Sequence, residues 1–194
     1  MTILYIIIAI VAIALFWLIG TYNGFIKLRT RAEEAWADID VQLKRRYDLI
    51  PNLIETVKGY AAHEQGTLDA VTQARAAATQ MHVDVGDMTP EAMAAMAGAE
   101  ASLTQSLGKL LAISENYPDL KANTNFLELQ RELSDTENKI QAARRFYNAN
   151  VRDLNIKTEM FPSNVVAGMF SFVKKDFFDL EDAPEERENV KVEF

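Results

Sequence analysis

The chain has 194 residues, 49% apolar and 25% charged, enough to bury one ordinary core and too apolar along its bulk for disorder. A net charge of −8 disfavours a surface that tracks nucleic-acid phosphates, so no nucleic-acid partner is expected. Without cysteine, disulfides, zinc-thiolate sites and cysteine nucleophiles are excluded, and 8 glycines and 5 prolines are few for the turns of an all-β fold.

Residues 1–26 carry no charged side chain, and 3–19 are an unbroken apolar run. Extended to Phe25, the run reaches the ~20 residues that cross ~30 Å of hydrocarbon. Phe16, Trp17 and Tyr22 gather at its C-terminal end, where aromatic rings favour the headgroup boundary. A cleaved signal peptide is the rival reading. It calls for a basic n-region and a small-x-small site after a shorter core, whereas here the one such triplet, Ala12-Ile13-Ala14, lies inside the run. Length and flanks favour a retained single-pass anchor over residues 1–26. Lys27, Arg29 and Arg31 follow it directly, so the positive-inside rule places the N-terminus outside and the helical domain in the cytoplasm.

From Leu28 the apolar residues recur at steps of three and four: Ala32, Trp36, Ile39, Leu43, Tyr47, Ile50, Ile54, Val57, Ala61, then Leu68, Val71 and Ala78. The spacing predicts one long amphipathic helix with coiled-coil-like periodicity, reaching about residue 80 and running straight out of the anchor. Thr89-Pro90-Glu91 reads as an N-cap, a first helical position and a first-turn acid, opening a second helix that Asn116-Tyr117-Pro118 stops. After the loop 118–123, Phe126, Leu129, Leu133, Ile140, Ala143, Tyr147, Val151, Leu154 and Phe161 mark a third helix, ended by Pro162-Ser163-Asn164. A short segment follows whose Val165, Val166, Met169, Phe170, Phe172, Val173, Phe177 and Phe178 must pack on something. The expected fold is therefore all-α: a transmembrane helix over 1–26, then an elongated antiparallel bundle over 27–180 of three long helices plus a short C-terminal one. Residues 181–194, dominated by carboxylates, read as a flexible acidic tail.

The unequal helix lengths leave part of the first stripe uncovered, to be closed by the C-terminal aromatic segment or by a second copy. Trp36 and Ile39, on that part, are the candidate contact residues; their alternative is the bundle core. Pro51 removes a backbone donor inside the helix and frees the carbonyl of Tyr47, so a kink is expected. Arg45, Arg46, Asp48 and Asn52 are the polar groups around it, forming either a recognition surface or local support for the kink. Asn138, Arg145, Asn148, Arg152 and Asn155 share one face of the third helix, as a buried polar network or a solvated face. His63-Glu64 lacks the second histidine a zinc-protease helix needs, since Thr67 stands there. The carboxylates of the helices, such as Glu33, Asp38, Glu132, Asp135 and Glu137, read as solvated faces. No phosphate loop or nucleophile elbow occurs. No catalytic residue, metal or cofactor is expected.

Arg45-Arg46-Tyr47-Asp48-Leu49-Ile50-Pro51-Asn52-Leu53-Ile54-Glu55-Thr56-Val57-Lys58-Gly59-Tyr60 resembles the signature of the LemA family. So do Tyr117-Pro118-Asp119-Leu120-Lys121-Ala122-Asn123, the run Glu137-Asn138-Lys139-Ile140-Gln141-Ala142-Ala143-Arg144-Arg145-Phe146-Tyr147-Asn148, and Phe161-Pro162-Ser163-Asn164, in the family's order. The resemblance implies a bacterial inner-membrane protein with a short anchor and a helical bundle, and it implies no reaction. The functional expectation is a membrane-anchored scaffold or adaptor that binds the bilayer and an unidentified protein partner, or self-associates as a homo-oligomer. An accessory subunit of a membrane enzyme and a membrane-coating protein are the alternatives.

Overall fold

The computed structural model describes residues 1–84 and 88–178, and the tail read from the sequence at 181–194 lies outside them. Helix α1 spans Thr2–Lys58, so the apolar run and the first amphipathic stripe are one continuous helix. Its apolar N-terminal part has a mean hydropathy of 2.9 over 18 residues with none of that window buried, long and apolar enough to cross a bilayer. From Phe25 onward one face turns inward, and Ala32, Trp36, Ile39, Leu43, Tyr47, Ile50, Leu53 and Val57 are buried at helical spacing.

The stripe does not continue to residue 80 in one helix. Gly59, a poor helix former, caps α1, and a turn over 59–64 folds Ala61 into the core before α2, Gln65–Gln80, begins. The same period of apolar residues persists because Leu68, Val71, Ala74 and Ala78 bury against the bundle from the reversed chain. Periodicity alone does not see such a reversal, since both halves keep the same repeat. Arg75 reaches Tyr47, and Trp36 Nε1 donates to the carbonyl of Val83 at 3.0 Å, so α2 returns antiparallel to α1.

Helix α3 spans Pro90–Ile113 and starts where the sequence places it: the Thr89 side chain accepts from the Ala92 N–H at 3.1 Å. A 3-10 turn over Ser114–Asn116 closes α3 at the stop signal, and a short helix α4, Pro118–Lys121, occupies most of the stretch 118–123 read as a plain loop. Asn123 then caps α5, Thr124–Glu159, accepting from Phe126 N–H at 3.0 Å. Tyr60 Oη accepts from Asn123 Nδ2 at 2.8 Å and Tyr117 donates to Glu64 at 3.2 Å, which ties the 59–64 turn to the start of α5 at the end far from the apolar part of α1. Among the described residues there are thus four substantial helices in place of the three expected, with α1 and α5 as the longest packed pair.

Helix α6, Ser163–Met169, lies beside the apolar part of α1. Val166 and Ala167 bury there against Phe25 and Leu154, with Leu18, Tyr22, Leu28 and Phe172 around them. Ser171, at φ 56, turns the chain in a left-handed conformation, and Phe172 N–H closes back on the Ala167 carbonyl at 2.9 Å. Residues 172–178 then run without helix along α1 and α5. This strap covers the part of the α1 stripe that the helices leave open: Phe172 stacks on Phe25 at 4.7 Å and Phe178 meets Trp36 edge-on at 5.2 Å.

Candidate functional site

The strap is gripped by its backbone. Asn155 donates to the Lys175 carbonyl at 2.8 Å and accepts from the Lys175 N–H at 2.9 Å. Asn148 does the same to Phe178, at 3.1 and 2.9 Å. A carboxamide carries both a donor and an acceptor, so each one satisfies both backbone groups of one strap residue regardless of its side chain. The repeat distances match: seven residues along a helix rise ~10.5 Å, and three residues of extended chain rise ~10 Å. Between the clamps, Tyr147 Oη donates to the Asp176 carbonyl at 3.1 Å. Burial, and then the Asp176 charge, push that hydroxyl's pKa up to about 12, so it stays a donor at neutral pH.

Side chains are read as well as the backbone, Phe178 most deeply. The ring of Phe178 is buried against Trp36, with Tyr147 on the indole at 5.3 Å and the Arg144 guanidinium 5.5 Å from the Phe178 centroid. Lys175 Nζ lies 3.8 Å from Glu33. By contrast Val173, Lys174 and Phe177 point outward. The strap therefore behaves as a bound extended peptide, anchored by Phe172 at one end and Phe178 at the other and held by two clamps.

Deeper in the bundle lies a buried ionic cluster. Arg46, 1% exposed, pairs with Glu100, 0% exposed, and donates to Glu137 at 2.7 Å and Thr104 at 3.3 Å. Tyr47 donates its hydroxyl to the other Glu100 oxygen. Burial pushes the Glu100 carboxyl above its ordinary value; the Arg46 charge and the Tyr47 hydrogen bond act against it. The Tyr47 hydroxyl is also held well above its ordinary value, by burial first and then by Glu100. The arrangement joins α1, α3 and α5 at one level and ties their register through charge-assisted hydrogen bonds.

Pro51 sits inside α1, and the Tyr47 carbonyl it strands accepts from Arg75 Nε at 2.7 Å. The partner is thus an arginine of α2, not the groups adjacent to Pro51. Arg45 instead pairs with Glu132 at 2.5 Å near the surface, and Asp48, Pro51 and Asn52 are exposed. Trp36 and Ile39, candidates for partner contact, are core residues: Ile39 is packed by the helices and Trp36 is covered by the strap. The face of α5 divides. Asn148 and Asn155 form the clamps, whereas Asn138, Arg145 and Arg152 are exposed. At the anchor end Phe16 and Trp17 are exposed and Tyr22 contacts the Phe170 ring at 4.8 Å. Lys27, Arg29 and Arg31 are exposed.

Sequence reasoning missed Glu100, Thr104 and Arg75. Glu100 could have been found: it occupies an apolar-stripe position of α3 between Met93, Met96, Ala97 and Leu103, Leu107, where a lone carboxylate demands a buried cation. Arg75 left no such signal, because its role depends on α2 folding back.

The chain is 22% identical over 178 residues to the magnetosome protein MamQ of Magnetospirillum gryphiswaldense, with 83% of this chain and 65% of the relative covered. The same figures hold for magnetosome protein MamQ 2 of Paramagnetospirillum magneticum. Protein LemA of Metamycoplasma hominis is 28% identical over 157 residues, 81% of this chain and 68% of its own length. The chain thus spans slightly less than two thirds of the length of the magnetosome relatives it matches. The LemA family model matches residues 35–194, which takes in α2 to α6 and α1 from Ala35 onward, including both asparagine clamps and the whole Arg46 cluster; the chain belongs to the LemA family.

Proposed function

We propose that this protein is a membrane-anchored helical adaptor whose α1–α5 groove binds an extended polypeptide segment, at present its own strap. The carrying observation is the pair of carboxamide clamps, Asn148 and Asn155, which hold a chain by its backbone at matching repeat distances. A groove of this kind accepts a segment of similar pattern from a second copy or from a protein partner, in exchange for the tethered strap. The reading is of a binding protein and not an enzyme. Membrane residence follows from the apolar part of α1, and relatives named as magnetosome proteins are in keeping with it. The exposed Lys27, Arg29 and Arg31 favour a cytoplasmic bundle at a bacterial inner membrane, with the N-terminus outside.

The test is fluorescence anisotropy of a labelled peptide carrying residues 172–178, added to full-length protein in detergent. A tethered strap competes at an effective concentration on the order of mM, so the wild type takes up little free peptide. Phe178→Ala removes the tethered anchor ring and is expected to open the groove, improving peptide affinity at least ~10-fold, about 1.4 kcal/mol. Adding Asn148→Ala and Asn155→Ala abolishes that gain. Absence of saturable binding to the Phe178→Ala protein overturns the groove reading. Light scattering of the same variant shows whether a second copy supplies the replacing strap.

A further inference from the structure

The exposed apolar surface of the domain is concentrated at one corner. Residues 160–173 contain no charged side chain. Within them Met160, Phe161, Val165, Met169, Phe170 and Val173 are exposed, Phe161 by 78%. A soluble surface rarely leaves so contiguous an apolar patch to water. The inner face of the same segment is fully used: Val166 and Ala167 are buried against Phe25 and Leu154. The outward residues are thus the unburied half of a helix and turn that are already packed.

Position in the fold identifies what covers them. Helix α6 and its flanks sit against Leu18, Tyr22 and Phe25 of α1, with Tyr22 contacting the rings of both Phe170 and Phe172. A span beginning at Ile3 and crossing ~30 Å of hydrocarbon ends ~20 residues later, near Tyr22. Leu18 is four residues back along the helix, ~6 Å toward the bilayer centre. The corner therefore lies at and just below the level where the anchor leaves the acyl chains. Its borders are charged: Lys157 and Glu159 precede the uncharged stretch and Lys174 and Lys175 follow it, with Lys27, Arg29 and Arg31 on the neighbouring turns of α1. An apolar patch with a charged, mainly basic rim, in which Lys174 and Lys175 pair with Glu159 and Glu33, fits an element lying 5–10 Å into the headgroup and acyl boundary.

We propose that the α5–α6 corner is a second membrane contact, with Met160, Phe161, Val165, Met169, Phe170 and Val173 inserted into the leaflet that α1 leaves. This rests on the reading of α1 as a membrane anchor and is independent of the peptide groove. The bundle is then fixed to the bilayer at two points and stands at a set tilt, instead of swinging on a single helix.

The chain has no cysteine, so single reporters can be placed at will. Full-length Phe161→Cys, Ile13→Cys and Glu55→Cys proteins are labelled with an environment-sensitive fluorophore and reconstituted into phosphatidylcholine vesicles containing phosphatidylglycerol. Lipids carrying a nitroxide high or low on the acyl chain, and aqueous iodide, serve as quenchers. The expected result is a Phe161 site quenched most by the shallow nitroxide and protected from iodide, an Ile13 site quenched by the deep nitroxide, and a Glu55 site open to iodide. If Ile13 is quenched by lipid and Phe161 is as open to iodide as Glu55, the corner proposal fails while the anchor stands. If Phe161 is shielded from iodide but insensitive to both nitroxides, a protein surface covers it and the proposal is overturned. If Ile13 itself escapes lipid quenching, the anchor reading fails and the corner proposal with it.

Discussion

Replacing Arg46 by methionine isolates the worth of the buried ionic cluster. The side chain is 1% exposed, and the Glu100 carboxylate it neutralises is 0% exposed. Removing one partner of such a pair leaves a buried charge without compensation, which costs about 3–5 kcal/mol. Glu137, whose side chain is 30% exposed, recovers its lost hydrogen bond from water and adds little. For a domain of this size, 1 kcal/mol moves the melting temperature by ~2–4 °C. Arg46→Met is therefore expected to lower the melting temperature of the full-length protein in detergent by about 6–20 °C, read by far-ultraviolet circular dichroism at neutral pH. The double variant Arg46→Met with Glu100→Gln removes both charges and keeps an amide oxygen for the Tyr47 hydroxyl. It is expected to recover most of the loss and end within ~1–2 kcal/mol of wild type. A single variant within ~1 kcal/mol of wild type, or a double variant whose cost is the sum of the two singles, refutes the claim that the pair is coupled by desolvation.

Glu100 also sets a pH dependence. Its folded-state pKa lies above the ordinary 4.5, so the folded protein holds this proton more tightly than the unfolded chain does. Its contribution to stability is present in full below about 4.5 and is lost as pH rises through the raised folded value. Melting temperature of wild type minus that of Glu100→Gln should therefore fall as pH is raised from 4.5 toward neutrality, and a rising difference contradicts the assignment. Ser171, at φ 56, occupies a left-handed position that disfavours side chains, so Ser171→Gly is expected to stabilise the chain by ~0.5–1 kcal/mol in denaturant unfolding; destabilisation would show that the serine side chain matters to the turn. Arg75→Ala strands the Tyr47 carbonyl, since Pro51 has no N–H to offer, and should cost ~1–3 kcal/mol. Adding Pro51→Ala restores an ordinary helical donor and should return much of that loss; equal stability of the single and double variants would mean that water already serves the carbonyl.

How much of this was legible beforehand depends on the range of the interaction. The start of α3 was readable because Thr89 and Pro90 act on their own neighbours. Likewise Asn123 and Pro162 mark the ends of α5 by local chemistry. The apolar N-terminal part of α1 declares itself by the absence of charge over many turns. The reversal at 59–64 did not, because the apolar period carries across it and the decisive contacts, Tyr60 to Asn123 and Tyr117 to Glu64, span more than 50 residues. The asparagine face of α5 was visible as spacing, but its role required the strap, which the sequence shows only as aromatic residues needing cover. Of the five polar residues on that face, the two that matter are those that meet residues 175 and 178. Nothing in their own neighbourhood distinguishes them from Asn138.

The two proposals together fix the order in which the groove can empty. The strap begins at α6, which packs on Leu18, Tyr22 and Phe25, and Phe172 is stacked on Phe25 at that end. If the corner is also held by lipid, this end cannot leave without withdrawing apolar side chains from the bilayer. The far end is held by the Phe178 ring on Trp36 and by the Asn148 clamp. A competing segment must therefore enter beside Trp36 and peel the strap toward the membrane, breaking the Asn148 clamp before the Asn155 clamp. Hydrogen exchange at the Phe178 amide, which Asn148 protects, should accordingly outpace exchange at the Lys175 amide, which Asn155 protects. Equal exchange at both amides would mean that the strap opens as one unit, and that the membrane end gives it no special hold.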